Sequence, residues 1–267
     1  MSHAFPENMN REPTYSIVPV PAFRDNYIWI LRDDRHAVVV DPGEALPVLD
    51  YLGQQRLRLV SILATHHHAD HVGGIAEILQ HHDVPVCGPK NEPIETLTRT
   101  VGGGDRVEIA EIGAVFDVID VPGHTRAHIA YYGGNTLLCG DTLFACGCGR
   151  VFEGTPQQLH ASLMRLAALP DETRVYCAHE YTLANIRFAR AVEPGNEALA
   201  ARERIDARLR QQDRPTVPST MGIEKATNPF LRCSRQAVIE SAGRHHGSPL
   251  TDPAQVFTAI RKWKNEF

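Results

Sequence analysis

Residues 59–74 read LVSILATHHHADHVGG, where an apolar run leads into four histidines and one aspartate. The apolar run, 59–64, predicts a buried strand, and the segment that begins at Gly73 predicts a helix. Neutral imidazole and carboxylate are preferred ligands of Zn²⁺ and similar divalent ions. A turn between a strand and a helix holds such side chains rigidly. The stretch therefore predicts a metal site at a strand-to-helix turn.

The spacing within this stretch predicts ligands for two ions. His66 and His68 are separated by one residue as they leave the strand, so both project from the same side and can reach one ion. Asp70 and His71 come after the turn, where they can point to a second position beside the first. His67 projects to the opposite side and is not counted as a ligand. The alternative interpretation, a histidine-rich surface turn or an expression tag, does not account for the adjoining apolar strand and helix.

A four-coordinate ion needs further ligands. Three later strand-like runs each end in a metal-type side chain, and these are His124, Asp141 and His179. Taken singly, a histidine or aspartate at the end of a strand is more often a hydrogen-bonded structural residue than a ligand. Together with the first stretch, the order H-x-H-x-D-H, H, D, H indicates a metal site.

This pattern resembles the metallo-β-lactamase superfamily, and within it the hydroxyacylglutathione hydrolase (glyoxalase II) family. The likeness covers the whole chain apart from the first dozen or so residues. The family resemblance rests on these stretches: Arg24–Trp29, Gly140–Phe144, Gly147–Arg150, Glu153–Thr155, His179–Thr182, Asn185, Glu193–Asn196, Asn228–Phe230 and Arg261–Lys264.

The resemblance implies a fold class and a ligand set. The fold is α/β, an αββα sandwich of the metallo-β-lactamase type with a helical C-terminal region. The implied ligands are His66, His68 and His124 for a first metal ion, Asp70, His71 and His179 for a second, and Asp141 bridging both. Two divalent ions per chain are therefore expected. Zinc is the leading expectation, and iron or manganese are compatible with the same nitrogen and oxygen ligands.

The implied activity is hydrolysis of the thioester S-D-lactoylglutathione to D-lactate and glutathione, the second step of methylglyoxal detoxification. In two-metal sites the ions lie about 3.5–4 Å apart, and binding to such an ion lowers the pKa of water from 15.7 to about 7. The expected nucleophile is a hydroxide that bridges the ions, with Asp70 and Asp141 as the catalytic carboxylates. The departing thiolate needs no strong general acid, because an unperturbed thiol has a pKa of about 8.5.

For the glutathione moiety the resemblance implies a binding set of Arg150, Tyr181, Arg261 and Lys264. The last two are three residues apart, so they lie on one face of a helix and one carboxylate can engage both. The alternative on spacing alone is the basic, solvated end of a terminal helix. Phe152 stands where some relatives carry tyrosine, and Arg150 where some carry lysine. Both differences concern affinity more than activity.

Composition excludes several classes of protein. The chain has 267 residues, 43% of them hydrophobic, and a formal net charge of −5. The negative charge argues against a nucleic-acid partner and hence against the RNA-processing nucleases of the superfamily. No run approaches the roughly 18 apolar residues of a membrane-spanning helix. Six irregularly spaced cysteines predict reduced thiols rather than a disulfide scaffold. A cytoplasmic monomer without membrane or nucleic-acid partners is expected.

The order of predicted elements suggests three regions. Residues 1–13 are predicted to be a loose leader without the apolar segment of a secretory signal. Residues 14–180, with mixed strands and helices, are predicted to form the metal-binding catalytic domain. Residues 181–267, predicted to be helical without strands, form the substrate-binding domain. The predicted strands are 15–20, 27–31, 37–40, 60–63, 84–87, 116–121, 128–132, 136–139 and 174–177, and the predicted helices are 46–53, 73–82, 156–168, 182–192, 197–212 and 253–264.

Two other functions stay open at this point. A glutathione-linked persulfide dioxygenase is an iron oxidoreductase of the same fold that uses one iron, and His179 together with the helical C-terminal region favours the hydrolase over it. A non-catalytic metal-binding or scaffold protein is the third interpretation. Every proposed ligand position is filled, which gives no sign of a decayed site.

Overall fold

The computed structural model of the chain describes residues 14–267, so the predicted leader 1–13 lies outside the described residues. Contacts between residues divide the chain into two units. The first unit comprises the residues up to Asp120 together with Ala127–Gly140, and the second comprises Val121–Arg126 and Asp141–Phe267. The domain division after residue 180 stays a prediction.

The described residues of the first unit form ten strands. Six form a sheet in chain order: β1 Ser16–Ala22, β2 Asn26–Arg32, β3 His36–Val40, β4 Arg58–Leu63, β5 Val86–Pro89 and β6 Arg99–Val101. The pairs from β1 to β3 are antiparallel and those from β3 to β6 are parallel. Four more strands pair antiparallel in the order β10-β9-β8-β7: β7 Arg106–Ile109, β8 Ala114–Asp120, β9 Ile129–Gly133 and β10 Thr136–Gly140.

The helices of the first unit are α1 Leu46–Gln55, α2 Ala69–Val72 and α3 Ile75–His81, with a 3-10 turn at Ala110–Ile112. The single helix predicted over 73–82 is shorter than expected, because Gly73 and Gly74 separate α2 from α3. Both glycines are in tight contact with backbone. A Cβ at residue 73 would lie 2.6 Å from the Ala69 carbonyl oxygen, and one at residue 74 would lie 2.5 Å from the Glu44 carbonyl carbon.

The core of the first unit packs against β4, the strand that leads to the histidine stretch. Leu59 and Ile62 of β4 belong to one buried apolar cluster with Ile75 and Ile78 of α3. Tyr131, fully buried on β9, donates its hydroxyl to the carbonyl oxygens of Ala64, at 2.9 Å, and Cys87, at 3.2 Å. Burial also raises the pKa of Tyr131. The apolar packing of β4 and the hydrogen bond from Tyr131 to Ala64 therefore fix the backbone where the histidine stretch begins.

The second unit is mainly helical. Its helices are α4 Pro156–Ala167, α5 Thr182–Val192, α6 Glu197–Gln211, α7 Met221–Thr227, α8 Gln236–His246 and α9 Pro253–Glu266, with a 3-10 turn at Pro229–Leu231. Its strands are β11 Leu143–Phe144, β12 Gly147–Cys148, β13 Arg174–Cys177 and β14 Ser219–Thr220. β11 pairs antiparallel with β12, and β13 pairs antiparallel with β14.

Three predicted helix starts are confirmed by their caps. The Thr155 hydroxyl accepts from Gln158 N, and the Gln158 side chain accepts in return from Thr155 N. The Asn196 side chain accepts from Leu199 N at the start of α6, and the Asp252 carboxylate accepts from Gln255 N at the start of α9. Such caps are typically worth about 1 kcal/mol each.

Other expectations are wrong in detail. The region after residue 180 was predicted to lack strands but contains β14. His245 and His246 end α8, a helix that was not predicted, and the His245 ring stacks on Trp263 at 4.2 Å. α7, α8 and the short strands β6, β7, β11, β12 and β14 were not predicted, because packing and pairing in the folded chain stabilise them more than local pattern does. All six cysteines are free and buried. Among the described helices, none combines the length and apolar character needed to cross a membrane.

Candidate metal centre

His66 and His68 bring two ring nitrogens together at the end of β4. His66 Nε2 lies 3.1 Å from His68 Nδ1. The Thr65 hydroxyl, which lies 2.7 Å from an Asp41 carboxylate oxygen and donates to it, accepts at 3.0 Å from His66 Nδ1. His66 Nε2 therefore keeps the lone pair that a metal ligand needs. The predicted pairing of these two histidines is present in the first unit.

Asp41 orients His71. The carboxylate is buried directly after β3 and accepts from Thr65 N at 2.8 Å. His71 Nδ1 lies 3.1 Å from the same carboxylate and donates to it, so Nε2 is the His71 nitrogen whose lone pair could bind a metal ion. Asp41, His66 and His71 are fully buried and offer ligand-type atoms within 4.8 Å of one another. Asp41 was missed in the sequence, although it follows its strand just as His124 and His179 follow theirs.

Asn26 orients Asp70. Its amide nitrogen donates to Asp70 Oδ2 at 3.1 Å and to the Asp70 carbonyl oxygen at 3.3 Å. Asp70 Oδ2 in turn lies 3.5 Å from His71 Nε2. Asp70 and His71 sit in α2, as predicted. Asn26 belongs to Arg24–Trp29, one of the stretches that carry the family resemblance, but no role was predicted for it.

His67 has a partner of its own. Its ring pairs with the buried carboxylate of Glu92, whose other oxygen accepts from Ala127 N at 2.9 Å. His128, also fully buried, stacks on His66 with ring centroids 4.5 Å apart. Neither Glu92 nor His128 was singled out in the sequence, because a single glutamate or histidine carries no pattern.

In the second unit, Asp141 lies between two histidines. Its Oδ2 is 3.5 Å from His124 Nε2 and its Oδ1 is 3.3 Å from His179 Nε2. His124 Nδ1 donates to the Arg150 carbonyl oxygen at 2.9 Å, which turns its Nε2 toward the carboxylate. One carboxylate with an imidazole at each oxygen is the arrangement expected of a bridging ligand. The structure thus brings together the three predicted donors of this unit.

Aromatic rings surround these histidines. The His179 ring is stacked on Tyr181 at 4.7 Å, and Phe144 stands perpendicular to both. The Phe152 ring contacts His124 by its edge, with centroids 5.3 Å apart, and is 62% exposed. The rings limit how far the imidazoles can rotate.

The predicted substrate residues differ in exposure. Arg150 is exposed, Tyr181 and Lys264 are partly buried, and Arg261 is only 5% exposed. Arg261 Nη1 donates to the Cys148 carbonyl oxygen at 3.0 Å. Burial, and then the positive charges of Arg261, Arg187 and Arg150, lower the pKa of Lys264 from 10.5 to about 8. Arg187, not singled out in the sequence, therefore belongs to the same cationic group.

The donor sets fit divalent ions. In a tetrahedral site with bonds of about 2.0–2.1 Å, two ligand atoms lie about 3.3 Å apart. The pairs described within each unit lie 3.1 to 3.5 Å apart. His66, His71 and His124 each make a hydrogen bond to protein through Nδ1. Metal-binding histidines usually make such a bond through the ring nitrogen that does not bind the ion. All donors are nitrogen or oxygen, which suits zinc, iron or manganese.

Comparison with known proteins extends this result. A family model for the metallo-beta-lactamase superfamily matches residues 22–179, and a model for the hydroxyacylglutathione hydrolase C-terminus matches residues 180–267. A hydroxyacylglutathione hydrolase of Nitrosomonas eutropha is 55% identical over 251 residues, which are 94% of this chain and 98% of that protein.

Two solved structures are also similar. ETHE1 from Myxococcus xanthus has a TM-score of 0.63 and 26% identity, covering 94% of this chain and 97% of that one. TTHA1623, solved in a di-iron-bound form, has a TM-score of 0.57 and 26% identity, covering 81% of this chain and all (100%) of that one.

The fold and these matches define a member of the metallo-β-lactamase superfamily. The predicted α/β fold class with a helical C-terminal region is thereby confirmed. Within the superfamily, the chain belongs to the hydroxyacylglutathione hydrolase family.

Proposed function

We propose that this protein hydrolyses S-D-lactoylglutathione, a 2-hydroxyacyl thioester of glutathione, to D-lactate and glutathione. The observation that carries the proposal is 55% identity to a hydroxyacylglutathione hydrolase over 94% of the chain. The donor geometry within each unit supports the same chemistry.

We further propose the ligand set and the number of ions. One ion would be held by His66, His68 and His124, a second by Asp70, His71 and His179, and Asp141 would bind both. The di-iron form of TTHA1623 supports two ions in a protein of this fold. Zinc is the first metal to test, followed by iron and manganese. Bound there, two such ions would lower the pKa of water and polarise the thioester carbonyl.

The protein's own residues then have distinct tasks. Asp41 and the Arg150 carbonyl fix which nitrogen of His71 and His124 is available. Asn26 donates to Asp70 Oδ2, the carboxylate oxygen beside His71 Nε2, and so fixes the position of that oxygen. Because thiolate is a good leaving group, none of these side chains has to act as a strong acid, and the site consists mostly of ligands and residues that orient them.

Substrate recognition would fall to the cationic group of the second unit. Lys264, with its lowered pKa beside three arginines, is stabilised as a cation when a carboxylate binds. Glutathione brings carboxylates at both ends, and Tyr181 beside His179 would contact its backbone. On this proposal residues 14–180 are the catalytic domain and 181–267 the substrate-binding domain. The protein would work as a cytoplasmic monomer.

The test is thiol release from S-D-lactoylglutathione by purified protein, with metal content measured alongside. We expect turnover with two ions per chain, loss of turnover after chelation, and recovery with Zn²⁺, Fe²⁺ or Mn²⁺. Replacement of His179 by alanine should lower both metal content and turnover. A folded protein with two bound ions and no thiol release would overturn the proposal.

The persulfide dioxygenase alternative is not favoured by the comparisons. The relatives named hydroxyacylglutathione hydrolase reach 55% identity, whereas the ETHE1 structure is 26% identical. Oxygen consumption with glutathione persulfide separates the two activities, and we expect none.

A further inference from the structure

One hairpin contacts all three donors of the second unit. We call residues Thr142–Arg150 the ligand hairpin; it contains β11 and β12. Its Arg150 carbonyl oxygen accepts from His124 Nδ1 at 2.9 Å. A Cβ at Gly149 would lie 2.0 Å from the Asp141 carbonyl oxygen, so the hairpin and Asp141 are in direct backbone contact. Its Phe144 ring stands at 90° to the His179 ring, with centroids 5.7 Å apart. A shift of the hairpin therefore moves all three donors.

Side chains from the helical part of the same unit hold the hairpin at its tip. Glu224 Oε2 accepts from Cys146 N at 2.9 Å. Asn228 Nδ2 donates to the carbonyl oxygens of Phe144, at 3.1 Å, and Gly147, at 2.9 Å. Asn185 Nδ2 donates to the Ala145 carbonyl oxygen at 3.0 Å. Backbone groups of all four tip residues are thus bound by these three side chains.

The tip needs such support. Cys146 has a φ of 54°, in the left-handed region that a residue with a Cβ adopts at a cost. The hairpin itself is short, with only two residue pairs in its ladder. A two-stranded hairpin of this kind is not stable by itself in water. Its conformation therefore depends on the side chains that hold it.

Glu224 is the centre of a buried ionic network. It is 0% exposed and accepts from the Ser219 hydroxyl as well as from Cys146 N and Asn228. The Arg202 side chain is 6% exposed, and its Nη2 lies 2.8 Å from Glu224 Oε1, so it balances the charge of Glu224. Arg202 Nε lies 3.1 Å from Asp206 Oδ2. Replacing a buried ion pair by apolar residues is often neutral or stabilising, so stability alone is a weak reason for such a network.

We propose that Glu224 and Asn228 are positioning residues of the metal centre, which hold the ligand hairpin and through it the orientation of His124, Asp141 and His179. This inference rests on the ligand set given under the proposed function. Residues that orient metal ligands typically change metal affinity by about 10–100-fold when they are replaced. A purely structural network would change the stability of the helices and leave metal affinity alone.

The experiment measures metal affinity without substrate, by competition with a chromophoric chelator, in wild-type protein and in two variants. Asn228→Ala removes both bonds to hairpin carbonyls. Glu224→Gln keeps an acceptor for Ser219 and Arg202 but turns an amide donor toward Cys146 N. The matched control is Asp206→Asn, which perturbs Arg202 at the end of the network away from the hairpin. The melting temperature of the metal-free protein is recorded for each variant.

We expect both variants to bind zinc about 10–100-fold more weakly than wild type. The control Asp206→Asn should bind zinc within threefold of wild type, although its melting temperature falls by about as much as theirs. Equal affinity in wild type and Asn228→Ala would overturn the proposal, as would an equal loss in Asp206→Asn. If both variants fail to fold, they are replaced by Asn185→Ala, which removes the hydrogen bond to the Ala145 carbonyl oxygen. Wild-type zinc affinity in Asn185→Ala would then overturn the proposal. A wild-type protein that binds no zinc would instead refute the ligand set.

Discussion

At the scale of single residues, the proposed metal ligands are held in orientation by hydrogen bonds from neighbouring residues. Asn26 gives the sharpest case, because its amide holds one oxygen of Asp70 and the adjacent carbonyl. The Asp70 side chain is 42% exposed, and the oxygen that Asn26 holds lies 3.5 Å from His71 Nε2. Asn26 therefore helps to set the orientation of this carboxylate.

We expect Asn26→Ala to weaken binding of one metal ion by about 10–100-fold, because Asp70 then loses its fixed orientation. Metal stoichiometry after dialysis against a chelator checks this. Asn91→Ala, on an exposed asparagine of the same unit, is the matched control. Identical stoichiometry in the two variants would contradict the role given to Asn26.

Lys264 gives a prediction about pH. Since its pKa is lowered to about 8, it is a cation below that pH and becomes neutral above it, while substrate carboxylates stay ionised. We expect KM for the glutathione thioester to be flat below pH 7 and to rise above pH 8. Lys264→Arg should keep KM flat through pH 9, because guanidinium stays charged. A rise of the same size in Lys264→Arg would show that another group is responsible.

At the scale of elements, α9 has two tasks that the sequence presents as one. Arg261 and Lys264 lie on one face of the helix, as predicted, but their surroundings differ. Arg261 is buried, donates to the Cys148 carbonyl of the ligand hairpin and lies over the Phe230 ring at 5.1 Å. Lys264 is partly buried and donates to the Ala184 carbonyl oxygen at 3.2 Å. Arg261 therefore supports the hairpin, and on the proposed function Lys264 would contribute to substrate binding.

We therefore expect different outcomes from the two alanine variants. Lys264→Ala should raise KM with little change in kcat or metal content, because it removes binding that is equal in the ground and transition states. Arg261→Ala should also lower stability, by about 1.5–3 kcal/mol, through loss of charged hydrogen bonds to buried carbonyls. Urea unfolding and steady-state kinetics measure both effects. Equal stability of the two variants would contradict this division of tasks.

The start of α4 gives a second prediction at this scale. Thr155→Ala removes the side-chain cap and breaks the reciprocal bonds with Gln158. We expect a loss of about 1 kcal/mol in the free energy of unfolding with unchanged metal content. Gln157→Ala, on an exposed residue of the same turn, serves as the control for helix propensity. A loss of similar size in the control would mean that the cap contributes nothing.

At the scale of the whole molecule, metal binding and folding are coupled. The donor pairs within each unit are nitrogen and oxygen atoms 3.1 to 3.5 Å apart, and an ion that binds only the folded chain stabilises it. We expect zinc at 100 times its dissociation constant to raise the free energy of unfolding by about 2.7 kcal/mol per independent site. Thermal unfolding of stripped and reloaded protein measures this gain. No shift on reloading would mean that the proposed ligands do not bind zinc in the folded state.

The sequence by itself determined the features that have a local period or a local spacing. It predicted nine strands, the helices that begin at residues 156, 197 and 253, and the donors that follow strands. These could be predicted because alternation, helical period and capping act over a few neighbouring residues.

Only the tertiary structure decided which residues hold those donors in place. Asn26 is 44 residues from Asp70, and Glu224 is 78 residues from Cys146. The short strands β6 and β14 likewise depend on pairing with β5 and β13. A single amide or carboxylate gives no pattern from which such a partner can be inferred. Its role is set by hydrogen bonds that exist only after distant segments have packed together.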